Sequence, residues 1–555
     1  MTAPVLSEAD LEREDVAFPR LDALELEAAK QCGHAEVFEA GENLYRAGDQ
    51  PLDCFVIVTG QVEIIDPTGD DERVLLEYGA GGFTGDITVL TQRASSVSCR
   101  ALTRCETIRL TGAEMRRLMV KCPSLGEKWI PALLRRREIL EKVGVEGLRV
   151  FGERSDMATL HIREFLHRNG VFHHWLDTSD PAIARTVAAL SGEPLRFPVV
   201  ACSHNILLQN PTLPELAERT GVRRHIPDEV FDTVIVGGGP AGLGAAVYAA
   251  SEGLRTLVLD NIGPGGQAGS SARIENYAGF PEGLSGRELA LRTYVQALKF
   301  GAIFSAPHVV SGIKCADHGL HEVQTADAIA VKTKTVIIAT GVSYRTLGVI
   351  GLSELHGSGV YYAATQVEAT LCQDRPVHII GAGNSAGQAA MYLSKFSQKV
   401  SLVVRGGNLR KNMSTYLAER VELNPRINIR LHTELREVEG TSCLEKVHLE
   451  NTSTGETSIE ESCGVFIFIG ANPCTSFLDD AVLKDEKGFV VTGNELVGSD
   501  KWSLRDRAPH PLETSCPGIF VAGDCRSRMT KRVAFAVGDG ALAVTCVHDL
   551  LGTYL

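Results

Sequence analysis

At 555 residues the chain is too long for one hydrophobic core and should divide into about three or four domains. A formal charge of -14 argues against non-specific binding to nucleic acid or to a membrane surface, since both need a basic face. No apolar run reads as long enough to span a bilayer, and the acidic first fifteen residues lack an apolar signal core, so the sequence predicts a cytoplasmic protein.

The first segment is 1–146. A polar, helix-like start gives way to short β-type runs at 43–49 and 54–64, where apolar residues alternate and Gly punctuates the turns, as in a small β-roll. Residues 113–142 read as helix, with Leu118, Leu125, Leu133, Leu134 and Leu140 among charges. The Gly48-Asp49 turn, the strand from Phe55 to Val62, and Phe83-Thr84-Gly85-Asp86 followed by Arg93-Ala94-Ser95 together resemble a cyclic-nucleotide-binding domain. The resemblance implies a phosphate cassette of Gly85, Asp86, Arg93 and Ser95: backbone N–H groups and Arg93 on a cyclic phosphate, Asp86 on the ribose 2′-OH. The chain departs from that family in having Asp for Glu and a short interval between Asp86 and Arg93. Two outcomes stay open: binding of cAMP or cGMP, or a roll kept as a dimerisation or docking module.

The second segment, 147–226, alternates strand and helix: a strand 148–151, an amphipathic helix 158–168, a strand 171–176 and a helix near 181–190. After Phe197-Pro198-Val199-Val200 come a hairpin-like stretch and a last helix 214–220. This βαβαββα order resembles a thioredoxin or glutaredoxin fold, with Pro198 at that family's cis-proline. Ser155-Asp156-Met157-Ala158 stands where the resemblance places a redox dithiol, which implies a structural or docking role.

The third segment carries the chemistry, and the sequence divides it into 230–346, 347–469 and 470–555. The apolar strand 232–236 runs into Gly237-Gly238-Gly239-Pro240-Ala241-Gly242, a helix 243–252 follows, and the next strand, 256–259, ends in Asp260. That setting is a dinucleotide fingerprint: glycines admit a pyrophosphate to a helix N-terminus and the acid takes a ribose hydroxyl. A second fingerprint, Gly381-Ala382-Gly383-Asn384-Ser385-Ala386, lies between strand 377–380 and helix 387–396. Its following strand, 400–404, ends in Arg405, with Arg410 and Lys411 close by, so the site is expected to prefer the 2′-phosphate of NADPH over the free hydroxyl of NADH.

The frame as a whole resembles low-molecular-weight thioredoxin reductase, which implies a multidomain α/β protein with an FAD domain interrupted by an NADP domain, and a homodimer. The resemblance assigns Gly266-Gln267, Asn276, Thr340-Gly341, Gly523-Asp524 and Arg532-Val533-Ala534 to FAD, with the last helix pointing its N-terminus at the flavin. It also places Ala363 and Gln366 on the two cysteines of the C-x-x-C, beside Tyr361 and Tyr362, which could stack on the flavin ring. The fourteen cysteines are scattered and no two lie three apart, so the chain has neither a redox C-x-x-C nor a zinc knuckle, and no metal site is expected.

The function this implies is hydride transfer from NADPH to FAD, which needs no catalytic acid, base or nucleophile, and then to an acceptor without a protein dithiol. A quinone, a one-electron redox protein, oxygen and a dye are the candidates, with regulation through the roll. Two alternatives stay open: disulfide reduction by cysteines from elsewhere, such as Cys372 or Cys525, and a sensor in which the thioredoxin-like segment is an internal pseudo-substrate.

Overall fold

The computed structural model describes residues 15–552 apart from 68–71, 146, 155, 190–194, 203–205, 272–273, 275, 317–318, 346, 353–354, 356–357, 363, 365 and 505. They form two compact units. The first comprises Met1–Glu153, His161–Pro227 and Val295–Pro307, and the second Arg154–Leu160, Asp228–Tyr294 and His308–Leu555.

In the first unit two antiparallel sheets make the roll. One orders His34–Phe38, Cys105–Leu110 and Cys54–Thr59; the other orders Asn43–Tyr45, Ser98–Ala101, Gln61–Asp66 and Arg73–Gly79. The single helix expected at 113–142 is two, Gly112–Lys121 and Pro123–Val143, because Pro123 cannot continue a helix and instead starts one. Trp129, Ala132, Leu133 and Leu140 face inward at helical spacing, and so do Arg136 and Arg137, which lie on that same buried stripe.

The thioredoxin-like segment forms a sheet in the order Ile206–Gln209, Val199–Cys202, Leu148–Gly152, His173–Asp177. The edge pair Leu148–Gly152 and His173–Asp177 is parallel and the others are antiparallel. The helix Met157–Arg168 bridges the parallel pair, and the Phe197–Pro198 peptide is cis. Ser155, at the expected dithiol position, lies outside the described residues.

In the second unit Thr256–Leu259, Phe231–Val236, Ala330–Ile338 and Ile519–Val521 run parallel in that order. Ile519–Val521 and residues 234–236, 257–259 and 336–338 are buried and apolar throughout, whereas the first half of Ala330–Ile338 alternates buried and exposed residues. A second parallel sheet orders Val360–Tyr361, Gly464–Ile467, Pro376–Ile380, Lys399–Val404 and Ile427–Leu431. The chain passes between the two sheets through an antiparallel ribbon, Val342–Tyr344 against Ala471–Pro473.

One helix, Val533–Leu551, is long and apolar enough to cross a membrane by length and composition, which the sequence reading had not anticipated. In the structure 39% of its apolar stretch is buried, and Phe535 and Leu542 are exposed. A Cβ on Gly540 would lie 2.2 Å from the Ala241 carbonyl oxygen, and one on Gly244 would lie 3.2 Å from Val537, so small residues let it cross the helix Pro240–Ser251 closely.

Candidate functional site

Three helices of the first unit open on side-chain caps, the capping boxes Asp22/Glu25, Thr111/Glu114 and Thr212/Glu215. The two fingerprint helices, Pro240–Ser251 and Asn384–Leu393, open on Gly239 and Gly383 with no side-chain cap, and Val533–Leu551 opens on Arg532, also uncapped. Their first N–H groups are thus left to an acceptor from outside the helix. Gly383 borders open space and a Cβ on Gly239 would only touch Gly266 Cα at 3.8 Å, whereas a Cβ on Gly242 would sit 1.8 Å from the Gly237 carbonyl oxygen, so the turn tolerates no side chain there. Pro240 and Ala241 begin the first helix, and Ala386 packs the second into its sheet.

Asp260 closes the first turn. Its Oδ2 accepts from Gly238 N at 2.6 Å and its Oδ1 from Ile262 N and Gly263 N at 2.9 and 2.7 Å. A carboxylate accepts about four hydrogen bonds, so one direction remains for a ribose hydroxyl. Gly266 abuts Gly239, where a Cβ would meet its Cα at 2.9 Å, and Gln267 Nε2 donates to the Val342 carbonyl. Thr340 Oγ1 donates to the Cys474 carbonyl at 2.7 Å and Gly341 takes a left-handed turn, fixing the start of the ribbon. Asn276 is exposed, and its neighbours Tyr277 and Phe280 pack with Val533 at the start of the last helix, where Ala534 is exposed.

Gly523 N donates to Asp539, whose carboxylate is itself paired with Arg526 at 2.9 Å. Asp524 differs: it is largely buried, has no hydrogen-bond partner among the described residues, and burial pushes its pKa up. A half-buried carboxylate without a donor is a site for ligand hydroxyls, which fits a ribityl chain held beside the last helix N-terminus.

At the second fingerprint Asn384 Oδ1 accepts from Ser414 N at 2.8 Å, which draws the loop after Lys399–Val404 toward Gly383, while Ser385 is exposed. Arg405 stands exposed at that strand end with no partner among the described residues. Arg410 is engaged: Glu422 holds it at 2.6 Å, with Glu419 at 3.8 Å, so its charge is already matched. Of the three basic residues grouped by sequence, Arg410 is therefore engaged, while Arg405 and Lys411 are exposed.

The expected dithiol position, Ala363, lies outside the described residues, as does the side chain of Gln366. Tyr361 packs on Phe466 at 5.2 Å between ring centres and belongs to the core of the second parallel sheet. Tyr362 packs on the opposite core. Cys372 and Cys463 lie together in the core that holds Tyr361, and the neighbouring Cys463 thiol together with burial drives the Cys372 thiol up, out of the thiolate range. Burial likewise pushes Cys525 up, to about 11.

In the roll, Gly85, Asp86 and Ser95 line a cavity of about 40 Å³ that is partly open to solvent. Arg93 is not among the residues that line it. Asp86 is also committed: its Oδ1 accepts from Thr88 N at 2.8 Å and its Oδ2 from Arg137 at 3.3 Å. Ser95 Oγ donates to the Val97 carbonyl at 2.6 Å. The residue that sequence reasoning missed is Arg136, which lines the cavity from the helix Pro123–Val143. Its spacing from Ala132, Leu133 and Leu140 placed it on the buried stripe, and that was the available signal.

Comparisons with known proteins follow the same division. The pyridine nucleotide-disulphide oxidoreductase family matches residues 231–540, and the cyclic nucleotide-binding domain family matches residues 35–122. The thioredoxin reductase of Treponema pallidum is 36% identical over 58% of this chain and 98% of its own length. That of Bacillus subtilis is 32% identical over 58% and 95%. Among solved structures, Lactococcus lactis thioredoxin reductase in its FR conformation aligns at a TM-score of 0.52 and 32% identity, over 58% of this chain and 100% of the other. The T. acidophilum thioredoxin reductase gives 0.52 and 32% over 57% and 98%. With two Gly-capped helix N-termini on two parallel sheets, and relatives matched over nearly their whole length, the chain belongs to the pyridine nucleotide-disulphide oxidoreductase family, as a thioredoxin reductase-like, NAD(P)H-dependent flavin enzyme whose family uses FAD and NADPH.

Proposed function

We propose that this enzyme oxidises NADPH and passes the electrons from its flavin to an acceptor that needs no protein dithiol, a quinone or a redox protein. When bound, FAD supplies a hydride acceptor and an electron donor in one group. The chain's own residues do the positioning. The uncapped helix at Gly239 receives the pyrophosphate, Asp524 holds the ribityl hydroxyls, and the N-terminus of Val533–Leu551 favours negative charge on the ring. Gly383 and Arg405 seat the NADPH diphosphate and 2′-phosphate.

The observation that carries the reading is the cysteine pattern. No two of the fourteen are spaced as C-x-x-C, and the nominated substitutes, Cys372 and Cys525, are buried with raised thiols. Regulation through the roll belongs to the same proposal. Its helix Pro123–Val143 joins the cassette at Asp86 to the thioredoxin-like segment at Gly170 and Phe172 through Arg137.

The test is stopped-flow reduction of the purified enzyme by NADPH and NADH, followed by turnover with a soluble quinone, with ferricyanide, and with thioredoxin plus insulin. Fast reduction by NADPH and turnover with quinone or ferricyanide, without insulin reduction, supports the proposal. Insulin reduction at a comparable rate overturns it.

A further inference from the structure

Arg136 is an unusual cation. Only 6% exposed, it donates through Nε to the Ala17 carbonyl at 2.7 Å and through Nη1 to the carbonyls of Phe83 and Gly85 at 2.8 and 3.0 Å. Its guanidinium lies 4.0 Å from the centre of the Phe83 ring, with Phe18 at 5.2 Å and Tyr78 at 5.8 Å. None of these partners carries a negative charge. Its Nη2 has no hydrogen-bond partner among the described residues, although Arg136 lines the cavity. A desolvated cation with two idle N–H groups is costly unless an anion meets it.

Two further donors share this cavity. Tyr45, buried at 6% exposure, and Tyr78 both line it, and neither phenol has a hydrogen-bond partner among the described residues. Burial pushes both well above the ordinary phenol range, so they stay protonated and donate. The rest of the wall is mixed: Leu52, Ile64, Leu76, Ile139 and Leu140 stand beside the polar Asp86, Thr88, Ser95 and Ser96. The cavity thus offers three such donor groups together with hydrocarbon. The acceptor a ribose hydroxyl would need, Asp86, already receives Arg137 and Thr88 N.

We propose that the roll binds a small amphipathic carboxylate, aromatic or medium-chain, whose carboxylate meets Arg136 Nη2 and the hydroxyls of Tyr45 and Tyr78 while its apolar body fills the cavity. Two oxygens with about four lone-pair directions match two N–H groups and two O–H groups. A cyclic nucleotide brings an anion too, but the carboxylate that would take its ribose hydroxyl, Asp86, is already engaged. The inference concerns the roll alone and does not depend on the flavin's electron acceptor.

The test is calorimetric titration of the full-length, flavin-loaded protein with 1-naphthoate, decanoate, cAMP and cGMP. Saturable binding of 1-naphthoate or decanoate is expected, with no saturable heat from either cyclic nucleotide. Arg136→Met should weaken carboxylate binding about tenfold or more, the loss expected for a charge-assisted hydrogen bond. That variant also abandons three carbonyls, so Tyr45→Phe and Tyr78→Phe decide: each should weaken binding several-fold with an unchanged Tm. Binding of neither carboxylate, tighter binding of cAMP or cGMP, or carboxylate affinity unmoved in both tyrosine variants overturns the proposal.

Discussion

Arg137 Nη1 donates to Asp86 Oδ2 at 3.3 Å, while its guanidinium carbon lies 3.5 Å from the centre of the Phe172 ring. One side chain therefore grips the cassette of the roll and the thioredoxin-like segment together. Arg137 is buried, so the pair sits where water screens it little. Removing the acid alone leaves a buried cation facing one carbonyl and a more distant Glu141. Asp86→Ala should destabilise the first unit by about 3 kcal/mol, the cost of orphaning one partner of a buried pair. Differential scanning calorimetry checks this as a fall in that unit's transition, with the flavin-linked transition unmoved.

Asp524 predicts flavin retention. Asp524→Ala should weaken FAD binding about tenfold or more, since a hydrogen bond to a charged acceptor is lost. The ratio of flavin to protein absorbance after dilution and filtration measures it, and an unchanged ratio would remove Asp524 from the site. The pH dependence has a definite sign. Burial raises the folded pKa above its unfolded value of about 3.9, so the folded, flavin-free protein binds the proton more readily. Its contribution to stability is present below the unfolded pKa and lost as pH rises through the raised one. The Tm of flavin-free Asp524→Asn minus that of the parent should therefore grow with pH over the carboxylate range.

Arg405 and Arg410 should separate in steady-state kinetics. Arg405→Ser is expected to lower kcat/KM for NADPH about tenfold or more and to leave NADH nearly unchanged, because only the 2′-phosphate contact goes. Arg410→Ala should change either value less than about twofold, since Glu422 already holds that guanidinium in an exposed pair. Equal losses in the two variants would mean that both arginines meet the coenzyme.

Glu513 anchors the late flavin motif. It is fully buried; Arg507 donates to both its oxygens at 2.7 Å, and Gly518 N and His510 N each donate at 2.9 Å. These bonds set the turn that leads into the strand Ile519–Val521 and on to Asp524. Glu513→Ala should cost about 3–5 kcal/mol and release flavin on heating earlier than the parent does. Flavin fluorescence during a thermal ramp reports it, and an unshifted release temperature would contradict this account.

Much of the second unit was legible because its chemistry is local. Gly237 to Gly242 and Asp260 sit a fixed distance apart in one strand–turn–helix–strand unit, so their spacing alone carries the geometry. The helix at the second fingerprint begins at Asn384 rather than Gly387, a short slip of the kind a glycine-rich start invites. The roll was legible as a fold but not as a site. Arg93 holds the motif position yet is not among the residues that line the cavity, whereas Arg136, 43 residues later, lines it and Arg137 from the same helix holds Asp86. Nothing in the cassette's own spacing announces an arginine from a distant helix, and a charged triplet within a helix is ordinarily solvated. Arg410 illustrates the same limit. Its salt bridge to Glu422 is a tertiary fact that no local pattern contains.

The close crossing of Pro240–Ser251 and Val533–Leu551 also has a consequence for biosynthesis. The first of these helices leaves the ribosome early, and its partner emerges only after the entire second nucleotide domain has been made. Until then the small-residue face around Gly244 is bare and the strand Ala330–Ile338 lacks its neighbour Ile519–Val521. Capture of the cofactor is thereby deferred to the end of translation, and a chain halted within the inserted domain would leave an incomplete sheet and an exposed apolar helix face for chaperones to recognise.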